Sequence, residues 1–288
     1  MHQLFLTIFA VCSGMLLSTL VFGAYLFIAK GNMSGMSDQV EDLRILQLFA
    51  SLGTFFFPAL CLSYLFGERI SAYLQLRGTN FSTILLTVVT ILFLEPFLNY
   101  TVYLNEQLVF PEFMAGIEDW LRQTEENAQQ LTLQLLQADT IGALIFNVFL
   151  VGVVAAVGEE FLFRGVLQRI FEKLFKNPHV VIWGVACIFS AIHLQFYGFI
   201  PRLLLGALMG YLLLYTQSLW IPVIAHFTHN TYGVLAYGLS PNQDVYEQLD
   251  HIGTGDSCWL AGVSLVLAAC AGWLLRRKCL SSSHNFRC

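Results

Sequence analysis

Val151-Gly-Val-Val-Ala-Ala-Val-Gly158-Glu159-Glu160-Phe-Leu-Phe163-Arg164-Gly165 decides how the rest of the chain is read. An uncharged, mostly apolar run leads into two adjacent carboxylates, and an arginine stands at i+4 from the second. An acid inside a membrane-spanning helix costs about 2.5–3.5 kcal/mol on insertion scales. Two acids side by side therefore need a use. Helical spacing separates them. Glu160 and Arg164 share a face and can pair. Glu159 is turned about 100° away, so it is the less neutralised carboxylate and the better candidate for a base. The blander reading is that all three residues mark a helix leaving the membrane.

Composition sets the solvent of this run. The chain is 57% hydrophobic and 11% charged, with a mean hydropathy of +0.67. A soluble domain is about 25% charged, so the expected fold class is an all-α polytopic membrane protein, with the lipid bilayer as a partner. The net charge is −5 and no long basic run occurs, which argues against nucleic acid. The seven cysteines form no CxxC pair. Cys12, Cys61, Cys187 and Cys270 lie in apolar runs and read as small hydrophobes rather than a disulfide framework. Cys288 is not at the position that prenylation requires. The N-terminus lacks the basic region of a signal peptide, so a retained first span is expected.

Working outward, eight spans are expected: Leu4–Ala29, Ile45–Phe66, Phe81–Leu104, Thr140 into Glu159-Glu160, His179–Leu194, Ile200–Thr216, Leu219–Tyr237 and Cys258–Leu275. Glu95-Pro96 interrupts the third, and Glu95 reads as a cavity-lining or helix-end residue. Asn105–Asp139 is acidic and Gln-rich, with Ile117, Trp120, Leu121, Leu131 and Leu135 spread through it, the pattern of an interfacial helix. Phe161–Lys176 reads as an amphipathic continuation that Asn177-Pro178 ends. Three regions follow: 1–139, the first spans and the acidic segment; 140–240, the core that carries the motifs; and 241–288, an acidic loop, the last span and a basic tail. An even span count puts both termini on one side, with the basic segments 68–77, 164–176 and 276–287. The acidic segments 105–139 and 240–257 fall opposite. The positive-inside rule then makes both termini cytoplasmic, in a multi-pass protein of the cell membrane. Lys30 and Arg44 depart from this pattern.

The later spans hold partners for the carboxylates. Measured from the Asn177-Pro178 turn, Glu159 and His193 lie about 27 and 23 Å along two antiparallel helices, so they can meet at one depth if both run unbroken. Phe189 precedes His193 by one helical turn and can pack beside the imidazole. In Ile221-Pro-Val-Ile-Ala-His226-Phe-Thr-His229-Asn230, His226 and Asn230 share a face and offer two neutral donors for a developing oxyanion. The alternative is a polar helix–helix patch. His229 is offset and reads as a bystander or supporting group.

Glu-Glu-x-x-x-Arg, then Phe-x-x-x-His, then His-x-x-x-Asn, in this order on successive spans, resembles the CPBP family of intramembrane proteases. That family includes the CAAX prenyl endopeptidases and bacteriocin-processing or immunity-associated membrane proteins. The resemblance covers the expected spans four to seven. It implies an all-helical membrane fold and hydrolysis of a peptide bond in a peptide or membrane-protein substrate. It implies that Glu159 and His193 activate a water, that His226 and Asn230 stabilise the oxyanion, and that Glu160 and Arg164 support them. The expectation is metal-free catalysis. From chemistry alone Glu159, His193 and His226 could instead hold a catalytic zinc, although the chain has no His-Glu-x-x-His helix. A non-catalytic binding or immunity protein on the same scaffold is one competing class. A proton-coupled transporter is another, but no repeat or second broken span accompanies Glu95-Pro96.

Overall fold

The computed structural model describes residues 1–30, 40–67, 69–239 and 248–285. Part of the acidic loop expected over 240–257, and Asp38 and Glu68 of two other loops, lie outside the described residues. Among the described residues the chain is helical with no strand. The principal helices are α1 (His2–Lys30), α2 (Val40–Phe66), α3 (Phe81–Glu106), α4 (Ala115–Leu136), α5 (Ile141–Leu174), α6 (Pro178–Ala191), α7 (Phe199–Thr216), α8 (Trp220–Gly238) and α9 (Cys258–Asn285). Among the described residues six segments are long and apolar enough to cross a membrane: α1, α2, α3, α5, α7 and Gly255–Cys279, which takes in most of α9. The chain is thus a polytopic membrane protein. The expected fifth span is α6, which is apolar but short. The expected seventh is α8, whose run His226-Phe-Thr-His-Asn-Thr231 dilutes its apolarity.

Local chemistry sets the helix ends. Asn80, Thr140 and Asn177 each accept a backbone N–H in the first turn of the following helix, from Thr83, Ala143 and His179 respectively. These are N-caps of the preferred type. Pro178 occupies the first turn of α6, where its missing donor costs nothing. Inside α3, Pro96 removes a ladder hydrogen bond. Ser264 on α9 fills the break: its hydroxyl donates to the Phe93 carbonyl and accepts from the Phe97 amide at 3.2 Å. In lipid every backbone polar group needs such a partner.

α1 and α2 approach closely because their contact residues are small. A Cβ on Gly14 would lie 1.9 Å from the Gly53 carbonyl oxygen. Packing of this kind drives helix association where the hydrophobic effect does not.

α5 runs through the middle. It is not a uniform α-helix: Val148–Ala155 and Phe161–Leu167 are π-helical and flank the α-helical turn with Glu159-Glu160. Widened turns leave carbonyls in need of other partners and recur at functional sites. Every residue from Phe161 to Leu167 is buried. Amphipathic character, expected from Phe161 onward, therefore begins only beyond Gln168. The buried stretch meets Leu62, Leu74, Phe189 and Leu219 in the main core.

The two ends of the bundle differ in charge. At one end Lys173 donates to Gln3 at 3.0 Å, Arg169 lies over the Tyr73 ring and Lys278 donates to Asn80 at 2.9 Å. At the other, Asn99 donates to the Leu249 carbonyl at 2.9 Å and Asn105 to that of Phe196 at 2.7 Å. The acidic α4 connects α3 to α5 at this second end.

Candidate active site

Glu160 is fully buried, and one of its oxygens takes two charge-assisted bonds. Oε1 accepts from Arg164 Nη1 at 2.8 Å, the i, i+4 pair expected from spacing, and from His226 Nδ1 at 2.8 Å. Arg164 is itself 1% exposed. Its Nη2 donates to the Gly206 carbonyl on α7 at 2.9 Å, and its guanidinium lies 4.7 Å over the Phe189 ring. A Cβ on Gly206 would stand 3.3 Å from that Nη2, so the glycine leaves the guanidinium room to reach the carbonyl. α5, α7 and α8 are thereby tied together at one buried carboxylate. Such a pair repays its desolvation only when geometry is good and further hydrogen bonds are made. Here they are.

Glu159 differs. Its side chain is 15% exposed, and among the described residues it accepts no hydrogen bond. Its nearest cationic candidate is His226 Nε2, 3.8 Å from Oε2. The Glu160 carboxylate can only accept, so His226 Nδ1 carries a proton. Nε2 then donates to an incoming oxygen only when the ring is imidazolium.

His193 lies elsewhere in the local structure than spacing suggests. α6 stops at Ala191, and the backbone turns through Ile192–Leu194, with Leu194 at φ 55°. His193 is therefore in the turn after α6, not in an unbroken helix. Its Nδ1 donates to the Phe189 carbonyl at 2.8 Å, which leaves Nε2 as an acceptor. Phe189 is the common wall. Its ring meets His193 edge-on at 5.1 Å, His226 at 6.1 Å and Phe163 at 5.1 Å. Glu159, Glu160, Arg164, Phe189, His193 and His226 thus form one cluster.

Asn230 follows His226 by one helical turn on α8. Its amide donates to the Val151 carbonyl, within a π-helical turn of α5, at 2.9 Å. One N–H is committed to that backbone and one remains for another acceptor. It lines a cavity of about 410 Å³ together with Glu95, Asn99, His229, Tyr232 and Asp250. His229, expected as a bystander or supporting group, pairs through Nδ1 with Glu95 at 2.9 Å. Asn230→Ala is expected to lower turnover about 10²–10³-fold, as for a lost oxyanion donor, with substrate affinity nearly unchanged. Steady-state kinetics check this. A higher KM at normal kcat would place Asn230 in substrate binding instead.

The zinc alternative needs Glu159, His193 and His226 to converge. Among the described residues no three His, Cys, Asp or Glu side chains are grouped so as to hold a metal ion, so the donor set does not fit zinc as it stands.

The structure adds side chains that spacing did not single out. Arg202 of α7 donates to the Gln195 carbonyl at 3.2 Å and to Gln195 Oε1 at 2.6 Å. It carries the lone charge of an otherwise apolar helix, a signal that was there to be read. Glu125 of α4 accepts from the Tyr197 amide at 3.0 Å and from Gln195 Nε2 at 3.1 Å. Nothing distinguishes it from its acidic and Gln-rich surroundings in sequence.

Residues 141–232 match the family described as Type II CAAX prenyl endopeptidase Rce1-like. The matched stretch runs from the start of α5 into α8 and includes every residue of the cluster. No curated protein and no solved structure matches the chain.

Proposed function

We propose, from the match of residues 141–232 to the Rce1-like type II CAAX prenyl endopeptidase family in a polytopic membrane protein, that this chain hydrolyses peptide bonds inside the bilayer with Glu159 as the base. The observation that supports this best is the division of labour between adjacent carboxylates. Glu160 is consumed by Arg164 and His226, while Glu159 is left without a hydrogen bond beside two imidazoles.

The reaction follows from these groups. His193 Nε2 accepts one hydrogen of a water, and Glu159 takes the other as the water oxygen attacks the scissile carbonyl carbon. The carbonyl oxygen becomes an oxyanion. It is met by His226, which Glu160 holds through Nδ1, and by the second N–H of Asn230. Glu159 then returns its proton to the amide nitrogen, the C–N bond breaks, and an acid and an amine leave. Arg164 pairs with Glu160, and Phe189 packs against both imidazoles. Purified protein in lipid should cleave a farnesylated CAAX-type peptide, and loss of Glu159 should remove new membrane-protein N-termini from cells. Identical termini with and without a functional Glu159, and no cleavage of any peptide, would overturn the reading.

The end that carries Arg77, Lys173 and Lys278 faces the cytoplasm under the positive-inside rule, with both termini. In a cysteine-free background, a membrane-impermeant maleimide added to intact cells should label a cysteine at Glu126 and spare one at Lys176. The reverse pattern would invert the topology.

A further inference from the structure

His193 depends for its position on a turn rather than a helix, and the loop that follows it is gripped from three helices. Asn105 of α3 donates to the Phe196 carbonyl, Arg202 of α7 donates twice to Gln195, and Glu125 of α4 accepts from both Gln195 and the Tyr197 amide. The Phe110 ring packs on that of Phe196 at 5.3 Å, and the Arg122 guanidinium lies 4.8 Å over Tyr197. Arg122 is in turn held by Glu118, one helical turn back, at 2.7 Å.

The faces of α4 agree with this. Glu118 and Glu125 lie on the side turned to the loop. Ile117, Trp120 and Leu131, all more than half exposed, lie on an adjoining stripe. Asp119, Glu126 and Gln130 lie on the remaining side, open to water. An apolar stripe that includes a Trp, on a helix joining two spans, is the pattern of an interfacial helix. Glu125 lies on the side that meets the loop.

We propose that α4 is a strap that fixes the His193 turn, with Glu125 as the positioning residue. One carboxylate engages an amide of the loop backbone and the side chain of Gln195, which Arg202 grips from the far side. The Glu125–Gln195–Arg202 chain therefore runs across the loop from α4 to α7 and closes it against the bundle. Removing its acceptor frees the Tyr197 amide and the Gln195 side-chain amide, leaves the loop to Arg202 and Asn105, and loosens the downstream anchor of the turn at Ile192–Leu194. This rests on the reading of His193 as the group that orients water. The strap itself can be tested without that reading.

The experiment is hydrogen exchange on the full-length protein in lipid nanodiscs, for wild type, Glu125→Ala and Glu125→Asp. Exchange over residues 192–199 should rise about 10- to 100-fold in Glu125→Ala, the opening expected when two charge-assisted bonds are lost. α5 and α8 should exchange as in wild type. Glu125→Asp should recover part of the protection. Unchanged exchange over 192–199, or a rise spread over the whole bundle, would overturn the strap. With a farnesylated CAAX-type peptide, kcat of Glu125→Ala should fall at least tenfold while KM stays within about twofold, and Glu125→Asp should recover part of it. A loosened loop with normal kcat would overturn the positioning role. Absence of cleavage by wild type would count against the protease reading alone, because exchange decides the strap by itself.

Discussion

Glu159→Gln is expected to lower cleavage about 10²–10⁴-fold while the protein still inserts and folds. The amide keeps the size of the carboxylate and removes its ability to take a proton from water. Stability should barely change, since among the described residues no hydrogen bond depends on this carboxylate. Glu160→Gln should behave differently, because that carboxylate is fully buried and joins Arg164 to His226. Parallel assays of cleavage and thermal unfolding in nanodiscs separate the two. Full activity in well-folded Glu159→Gln would remove this residue from the mechanism. Equal unfolding of both variants would mean that the pair acts as one structural unit.

The second large effect is on folding. Arg164→Ala should destabilise the protein by about 3–5 kcal/mol, the cost of breaking a buried ion pair from one side. The guanidinium makes three contacts at once: the Glu160 carboxylate, the Gly206 carbonyl and the face of Phe189. Its loss leaves Glu160 with only His226 and strips α7 of its link to α5. Neutralising the orphaned charge should help, so Arg164→Ala combined with Glu160→Gln should lose less than the sum of the single variants. Abundance and unfolding temperature measure this. A normally stable Arg164→Ala that fails only in turnover would show that the guanidinium acts on substrate.

Most of the cluster was legible because membrane chemistry makes charge conspicuous. In an apolar helix Glu159, Glu160 and Arg164 can hardly be accidental, and i, i+4 spacing alone pairs the last two. The helix-in-membrane fold followed from composition by the same logic. Span count was less legible. α8 carries His226, His229 and Asn230, and those polar groups make it less apolar than the longer helices. The helical spacing that places His193 held only to Ala191, because the turn that follows is decided by bonds from distant residues.

The sequence by itself determined the bilayer as solvent, the helical class, and which carboxylate pairs with arginine. These depend on hydropathy and on distances of one helical turn. Only the tertiary structure decided that His226 turns its Nδ1 to Glu160, that Asn230 spends one N–H on the Val151 carbonyl, and that Glu125 grips the loop after His193. Each of these joins residues of different helices. A hydrogen bond at 3 Å depends on side-chain direction and on how closely two helices pack, and neither is written in the spacing along one chain.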